Sequence, residues 1–433
     1  MSWIKRHPLL AIAALAFAVR AAAAVVTEIK PIFPDYYYTD VRLVNEDALA
    51  GLAALREGRP LILMGPISLR LHLLMTLGVY RVFGPRPIAV KLLNAALGAG
   101  GIAALVAAFE LVFPWPAAFA SGLTLALWPS HAFYTSQNLK ESPTQALAFF
   151  GLAAILALGL RPPESAARRV ALAAAAAGGL IGAGFFRSYV LLCLSAALCA
   201  AFALEAARRK PRGNALAALA VAASAAALYT PATRALYSAL QRPGEEFTMN
   251  SSDAVRLRPS LLPCTVVDSA TTVVYRPTSP EGLSAFRRAR QEGDREWAKL
   301  HARRKIGTQI FPDADLRTWG DVLAYLPKGA FYVLFMPLPG FYPMDGKLGR
   351  IAASMENLVL LALAYFAAAG FLRGSRGAGR VGLILYFVAM ATGSALLEFD
   401  LGSAGRHKLL YLPMLFPFAA EEIFRLLGRK EPA

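Results

Sequence analysis

Residues 169–206 read RVALAAAAAGGLIGAGFFRSYVLLCLSAALCAAFALEA, and this stretch decides the fold class. It contains two apolar runs, 169–187 and 189–206, separated by little more than Arg187-Ser188-Tyr189. A helix needs about 20 apolar residues to cross a hydrocarbon core of roughly 30 Å. Both runs meet that length, and only a tight hairpin can join them. The Ala-rich parts, 171–177 here and 215–227 further on, resemble low complexity. At membrane depth such small residues let helices pack closely.

The rest of the chain agrees. Of its 433 residues 57% are hydrophobic and 17% charged, whereas soluble domains carry roughly 25% charge. Lipid must therefore solvate much of the apolar surface, which excludes a soluble enzyme and a disordered protein. A disulfide scaffold is excluded as well: Cys193 and Cys199 lie in an apolar run and Cys264 stands alone in a polar one. The net charge of +17 falls largely in short loops between apolar runs, the pattern of a membrane protein with basic cytoplasmic loops rather than of a nucleic-acid binder.

Ten runs read as crossings: 8–26, 87–112, 116–134, 143–160, 169–187, 189–206, 213–231, 351–372, 380–398 and 409–427. Two more are ambiguous. Run 66–83 carries Arg70, His72 and Arg81, and run 324–344 carries Lys328 among Pro327, Pro337 and Pro339. With Lys5 and Arg6 cytoplasmic, placing both ambiguous runs in the interface or as re-entrant segments brings several basic groups inside. These are Arg161, Arg168 and Arg169, then Arg208 to Arg212, Arg373, Arg376 and Arg380, and the tail with Arg429 and Lys430. The expectation is an all-α polytopic inner-membrane protein with both termini cytoplasmic, the first run being a retained anchor rather than a cleaved signal. Its parts are an N-terminal transmembrane core, 1–231, with an outer loop at 27–65 and an interfacial helix at 66–83. An outer segment, 232–350, and C-terminal helices, 351–433, complete the chain.

This topology gathers four polar clusters at the outer face: Asp35, Tyr36, Tyr37, Tyr38 and Asp40; the turn Ser136 to Ser142, with Lys140 and Glu141; Arg187-Ser188-Tyr189; and Glu398, Asp400, Arg406, His407 and Lys408. Each has an ordinary explanation. The tyrosines suit an interfacial aromatic belt, Lys140-Glu141 an exposed surface pair, and the basic groups headgroup anchoring. Their combination suits transfer of a group from a lipid phosphate. A carboxylate takes the proton of an attacking hydroxyl, and cations stabilise the departing phosphate. Arginine matches phosphate with its planar fork, lysine with a mobile point charge.

The chain resembles the GT-C superfamily of integral-membrane glycosyltransferases, especially bacterial relatives of protein O-mannosyltransferases and the aminoarabinose transferase of lipid A. The resemblance lies in Phe33-Pro34-Asp35 through Asp40, leading into the helix-like stretch Asn45 to Gly58. It continues in Tyr80-Arg81-Val82-Phe83-Gly84, Lys91-Leu92-Leu93-Asn94, Leu127-Trp128-Pro129-Ser130 and Gly405 through Pro413. These features span 1–190 and 400–425, and leave 232–345 uncovered.

The resemblance implies a polyprenyl-phosphate sugar donor, an inverting transfer, an outer-facing site and first-loop helices lying flat on the membrane. It places the catalytic aspartate on Asp35 or Asp40, neither followed by Glu as is common in the family, and a second acid on Glu141. Lys140, Arg187, Arg406, His407 and Lys408 are candidates for the donor phosphate, and Tyr36, Tyr37, Tyr38 and Tyr189 for substrate contacts. The acceptor, a glycan, lipid or protein, is not named by the sequence. Its choice is expected to reside in 232–323, where Glu281 to Ile306 reads as a surface helix with Phe286, Trp297 and Leu300 on one stripe. The five histidines form no ligand spacing and an acidic outer pair offers a divalent cation only weak binding, so no cofactor is assigned. The rivals are a transporter or flippase for an anionic lipid or solute, which places charges at the bilayer midplane, and a polysaccharide polymerase or ligase using arginines.

Overall fold

The computed structural model describes residues 7–32, 39–61, 63, 66–208, 213–240, 279–300, 308–342 and 348–428. Among these the chain is helical, and eight helices are long and apolar enough to cross a membrane. They are α1 (Pro8–Ile29), α4 (Pro87–Glu110), α7 (Glu141–Leu160), α8 (Ala166–Phe186), α9 (Ser188–Arg208), α10 (Gly213–Leu240), α13 (Leu348–Arg373) and α14 (Ala378–Leu397). This is an all-α polytopic integral-membrane protein.

The two remaining runs of the expected ten are interrupted. Run 116–134 becomes α5 (Trp115–Leu127) and a separate α6 (Pro129–Thr135). Pro129 has no N–H for the carbonyl of Leu125 and crowds it, so the helix stops and restarts. Run 409–427 opens as 3-10 turns, Lys408–Leu410 and Leu412–Leu415, and becomes helical only in α16 (Phe416–Leu426). Pro413 and Pro417 have the same effect there. The other helices are α2 (Thr39–Arg56), α3 (Ile67–Phe83), α11 (Pro280–Leu300), α12 (Trp319–Phe335) and α15 (Leu401–His407).

Two compact units result, one of Met1–Pro243, Ala362–Tyr386 and Leu412–Ala433, the other of Gly244–Leu361 and Phe387–Tyr411. In the first, the small residues pack helices backbone to backbone. A Cβ on Gly179 of α8 would stand 2.9 Å from the Gly151 Cα of α7, and one on Gly101 of α4 would stand 3.2 Å from the Ala146 Cα. The repetitive composition is thus a contact surface.

Run 66–83, as α3, is a single helix of 17 residues. It rises about 26 Å, short of a full crossing. Leu73, Leu77 and Tyr80 of α3 close a small core with Ala48 and Leu52 of α2 and with Val90. Arg70 and His72, which argued against burial in lipid, are each 2% exposed inside protein.

In the second unit Leu283, Leu316, Val322 and Tyr325 form the core, with Phe311 and Leu396 against it. The helix expected over Glu281 to Ile306 is present as α11 as far as Leu300, residues 301–306 lying outside the described residues, and it buries Leu283, Phe286 and Arg287 on one face. The side chains of Trp297 and Leu300 lie outside the described set. Arg287 donates to the carbonyls of Ile310 (2.8 Å), Phe311 (3.0 Å) and Leu396 (3.2 Å), tying α11 to two segments far from it in sequence.

Candidate functional site

Ser136 to Lys140 forms a turn between α6 and α7, and together with Glu141 and Ser142, which open α7, it lies inside the first unit rather than on its surface. Ser136, Gln137, Asn138, Glu141 and Ser142 are all at most 1% exposed. Buried backbone needs partners, and surrounding helices supply them. Asn94 Nδ2 of α4 donates to the carbonyls of Gln137 (2.5 Å) and Leu139 (3.2 Å). Gln137 Nε2 donates to Thr27 Oγ1 of α1 (3.1 Å), and Ser142 Oγ closes the turn on the Thr135 carbonyl (2.9 Å).

Glu141 opens α7 and meets Arg187, at the end of α8, with Nη2 to Oε1 at 2.6 Å. Their side chains are 1% and 9% exposed, so the surface-pair explanation of this acid is excluded. Charge attraction is strong where water is excluded, as is the penalty for losing a partner. The guanidinium carbon of Arg187 also stands 5.9 Å from the Tyr189 ring centre. Lys140 is half-buried next to Glu141. His72 of α3 faces this group, its Nε2 3.3 Å from the Asn138 carbonyl. Burial pushes its pKa down, opposed by that bond and by the Glu141 charge.

Asp40 is exposed in the first turn of α2. Five residues on, a rise of about 7.5 Å, Asn45 accepts hydrogen bonds from Asn138 Nδ2 (2.7 Å) and Tyr80 Oη (3.0 Å). The first loop is therefore tied directly to the turn that carries Glu141. Asp35, Tyr36, Tyr37 and Tyr38 lie outside the described residues.

The basic run 406–408 belongs to the second unit. Asp400 caps α15 by accepting from Ser403 N (2.9 Å), and Ile310 N donates to the Phe399 carbonyl (2.7 Å). His407 pairs through Nδ1 with Glu398. Arg406 is half-buried. Lys408 is enclosed, donating to Asn357 Oδ1 (2.6 Å) and the Leu334 carbonyl (3.2 Å). Burial pushes its pKa down to about 8.

Sequence reasoning passed over Arg20, in the middle of α1 and 0% exposed. Its five N–H groups are all engaged: by Thr135 Oγ1 (2.8 Å), His131 Nδ1 (2.5 Å) and the carbonyls of Ala16 (3.0 Å), Ala126 (3.1 Å) and Leu125 (3.3 Å). The break at Pro129 takes the usual helical donors from the last two, Leu125 keeping a longer bond from Trp128 N (3.4 Å), so Arg20 caps α5 from another helix. An arginine inside an apolar run was the available signal. Lys91 was likewise unassigned. It pairs with Glu28 at 2.7 Å beside Thr27. Among the described residues no three of His, Cys, Asp and Glu are placed to hold a metal ion.

No protein-family model matches the chain, and no curated protein matches it significantly. Solved structures do. The apo oligosaccharyltransferase of Archaeoglobus fulgidus superposes over 100% of this chain at 15% identity, with a TM-score of 0.50. This chain spans 54% of that one, about half its length. The same organism's AglB with an inhibitory peptide and a dolichol-phosphate covers 98% of this chain and 51% of its own at 14% identity and a TM-score of 0.47. ArnT of Cupriavidus metallidurans, bound to undecaprenyl phosphate, covers 97% and 77% at 16% identity and 0.42. The first of these superpositions, together with the all-helical membrane architecture, gives the chain a fold like that of the Archaeoglobus fulgidus oligosaccharyltransferase.

Proposed function

We propose that the chain is a GT-C-type glycosyltransferase that moves a sugar from a polyprenyl-phosphate carrier to an acceptor hydroxyl or amine at the outer face of the inner membrane. The observation that carries this reading is the buried Glu141–Arg187 pair beside Lys140 and His72. An acid and several bases gathered where water is scarce suit a reaction that creates phosphate charge.

In this reading the acceptor attacks the anomeric carbon opposite the phosphate. As the new bond forms, the carbon–oxygen bond to phosphate breaks and its electrons leave with the phosphate, inverting the centre. A first-loop aspartate, Asp40 before Asp35, receives the acceptor proton. Lys140 and Arg187 stabilise the growing phosphate charge, while Glu141 orients Arg187 and supports the acceptor. Tyr36, Tyr37, Tyr38 and Tyr189 are assigned to substrate contact. Arg406 and His407 carry phosphate-binding chemistry in the second unit, and the enclosed Lys408 fixes that stretch.

Mass spectrometry of lipid-linked sugars and surface glycans, with and without the gene, tests the proposal. Loss of one glycan substituent with accumulation of its polyprenyl-phosphate sugar is expected. Unchanged glycans with altered uptake of an anionic solute would overturn it in favour of transport.

A further inference from the structure

We infer that Asn45 and Asn138 form a clasp that positions the first-loop carboxylate over the buried turn, an inference that rests on the glycosyl-transfer reading above. Asn138 is 0% exposed, and its side-chain amide is used at both ends. Nδ2 donates to Asn45 Oδ1 at 2.7 Å and Oδ1 accepts from Thr76 Oγ1 at 3.2 Å. Its backbone carbonyl meets His72 Nε2 at 3.3 Å, and Tyr80 Oη adds a second donor to Asn45 Oδ1 at 3.0 Å. Three segments distant in sequence thus meet at two asparagines: the first-loop helix α2, the short helix α3 and the turn before Glu141.

α2 and α3 also share an apolar contact, through Ala48, Leu52, Leu73 and Leu77. Apolar contact is non-directional and holds α2 down without setting its register. Directional bonds between buried amides do set it. Asp40 lies five residues before Asn45 and Glu141 three residues after Asn138, so this one bond links the two acids of the proposed mechanism. General-base catalysis requires the carboxylate within hydrogen-bond reach of the acceptor, and a misplacement of about 1 Å costs on the order of a hundredfold in rate. Asn45 and Asn138 are therefore positioning residues that act through the first-loop aspartate.

Asn45 is half-buried, so Asn45→Ala is the milder variant, and Tyr80→Phe keeps the ring while removing one donor to Asn45. Turnover is measured with a short-chain polyprenyl-phosphate sugar for Asn45→Ala in the native chain and in the Asp40→Asn or Asp35→Asn background, whichever removes turnover. The expected result is a fall in kcat of about tenfold or more in the native background, with KM within about twofold, and no further fall in the aspartate variant. An equal fall in both backgrounds, or none in the native one, would overturn the clasp. Absence of transfer by the native protein would instead defeat the glycosyl-transfer reading. Hydrogen exchange then decides the clasp without activity: Asn45→Ala and Tyr80→Phe should speed exchange across Thr39–Arg56, and unchanged protection there would refute it.

Discussion

The Arg187 guanidinium lies 2.6 Å from the Glu141 carboxylate, joining the end of α8 to the start of α7 where neither side chain is more than 9% exposed. Desolvating two ions is expensive, so such a pair adds little net stability against a well-packed apolar pair. Removing one member is another matter, because the other charge stays buried without its ion-pair partner.

Glu141→Gln and Arg187→Met should each destabilise the protein by about 3–5 kcal/mol, and the double variant by less than the sum. Thermal unfolding in detergent measures this. Additive losses would contradict a direct pair. In transfer assays Arg187→Lys should fall between native and Arg187→Ala, since it keeps the charge and loses the fork. Full activity of Arg187→Lys in detergent would reduce Arg187 to a headgroup anchor.

Arg20→Leu strips the guanidinium donors from the Leu125 and Ala126 carbonyls at the break before Pro129, leaving Leu125 the longer bond from Trp128 N. Each buried acceptor left unsatisfied costs about 1–3 kcal/mol, so the midpoint of unfolding should fall clearly, with Arg20→Lys recovering part of the loss. An unchanged midpoint for Arg20→Leu would show that the broken helix needs no cap from α1.

Much of the fold was legible because lipid imposes its demands locally. Runs of about 20 apolar residues became eight helices of the expected class. The interrupted runs were harder. The Trp128-Pro129 pair was visible as a motif, yet nothing local states that Arg20 compensates it from more than a hundred residues away. The polar turn misled in another way. Gln137, Asn138 and Glu141 have the composition of a surface loop, and partners from other segments, among them Asn94, Thr27, Asn45, Thr76 and Arg187, make their burial tolerable. Arg187 was legible because a charge between two apolar runs is conspicuous.

Gly179→Leu should separate α7 from α8, because a side chain there begins 2.9 Å from the Gly151 Cα. Overpacking costs about 1–3 kcal/mol or more, read as a lower unfolding midpoint. Gly178→Leu is the control: no atom lies within 4 Å of a Cβ at Gly178. Equal effects at the two positions would contradict backbone-to-backbone packing.

Lys408 gives a pH signature. Its folded pKa is pushed down to about 8 from 10.5, so between these values the unfolded chain keeps a proton that the folded protein has released. Stability therefore rises with pH across that window. Unfolding of the native protein compared with Lys408→Met should show the native gaining relative stability from pH 8 to 10. A constant difference would show that Lys408 is hydrated in the folded protein.

In the proposed function a first-loop carboxylate drives sugar transfer from a lipid phosphate beside the buried turn. The decisive measurement is turnover of a water-soluble, short-chain polyprenyl-phosphate sugar by purified protein in detergent, for the native chain, Asp40→Asn and Asp35→Asn. Asp40 is exposed, so its replacement should leave folding and donor binding intact while lowering turnover by at least about a hundredfold. Near-native turnover in both variants would contradict the account and favour an arginine-based polymerase or ligase.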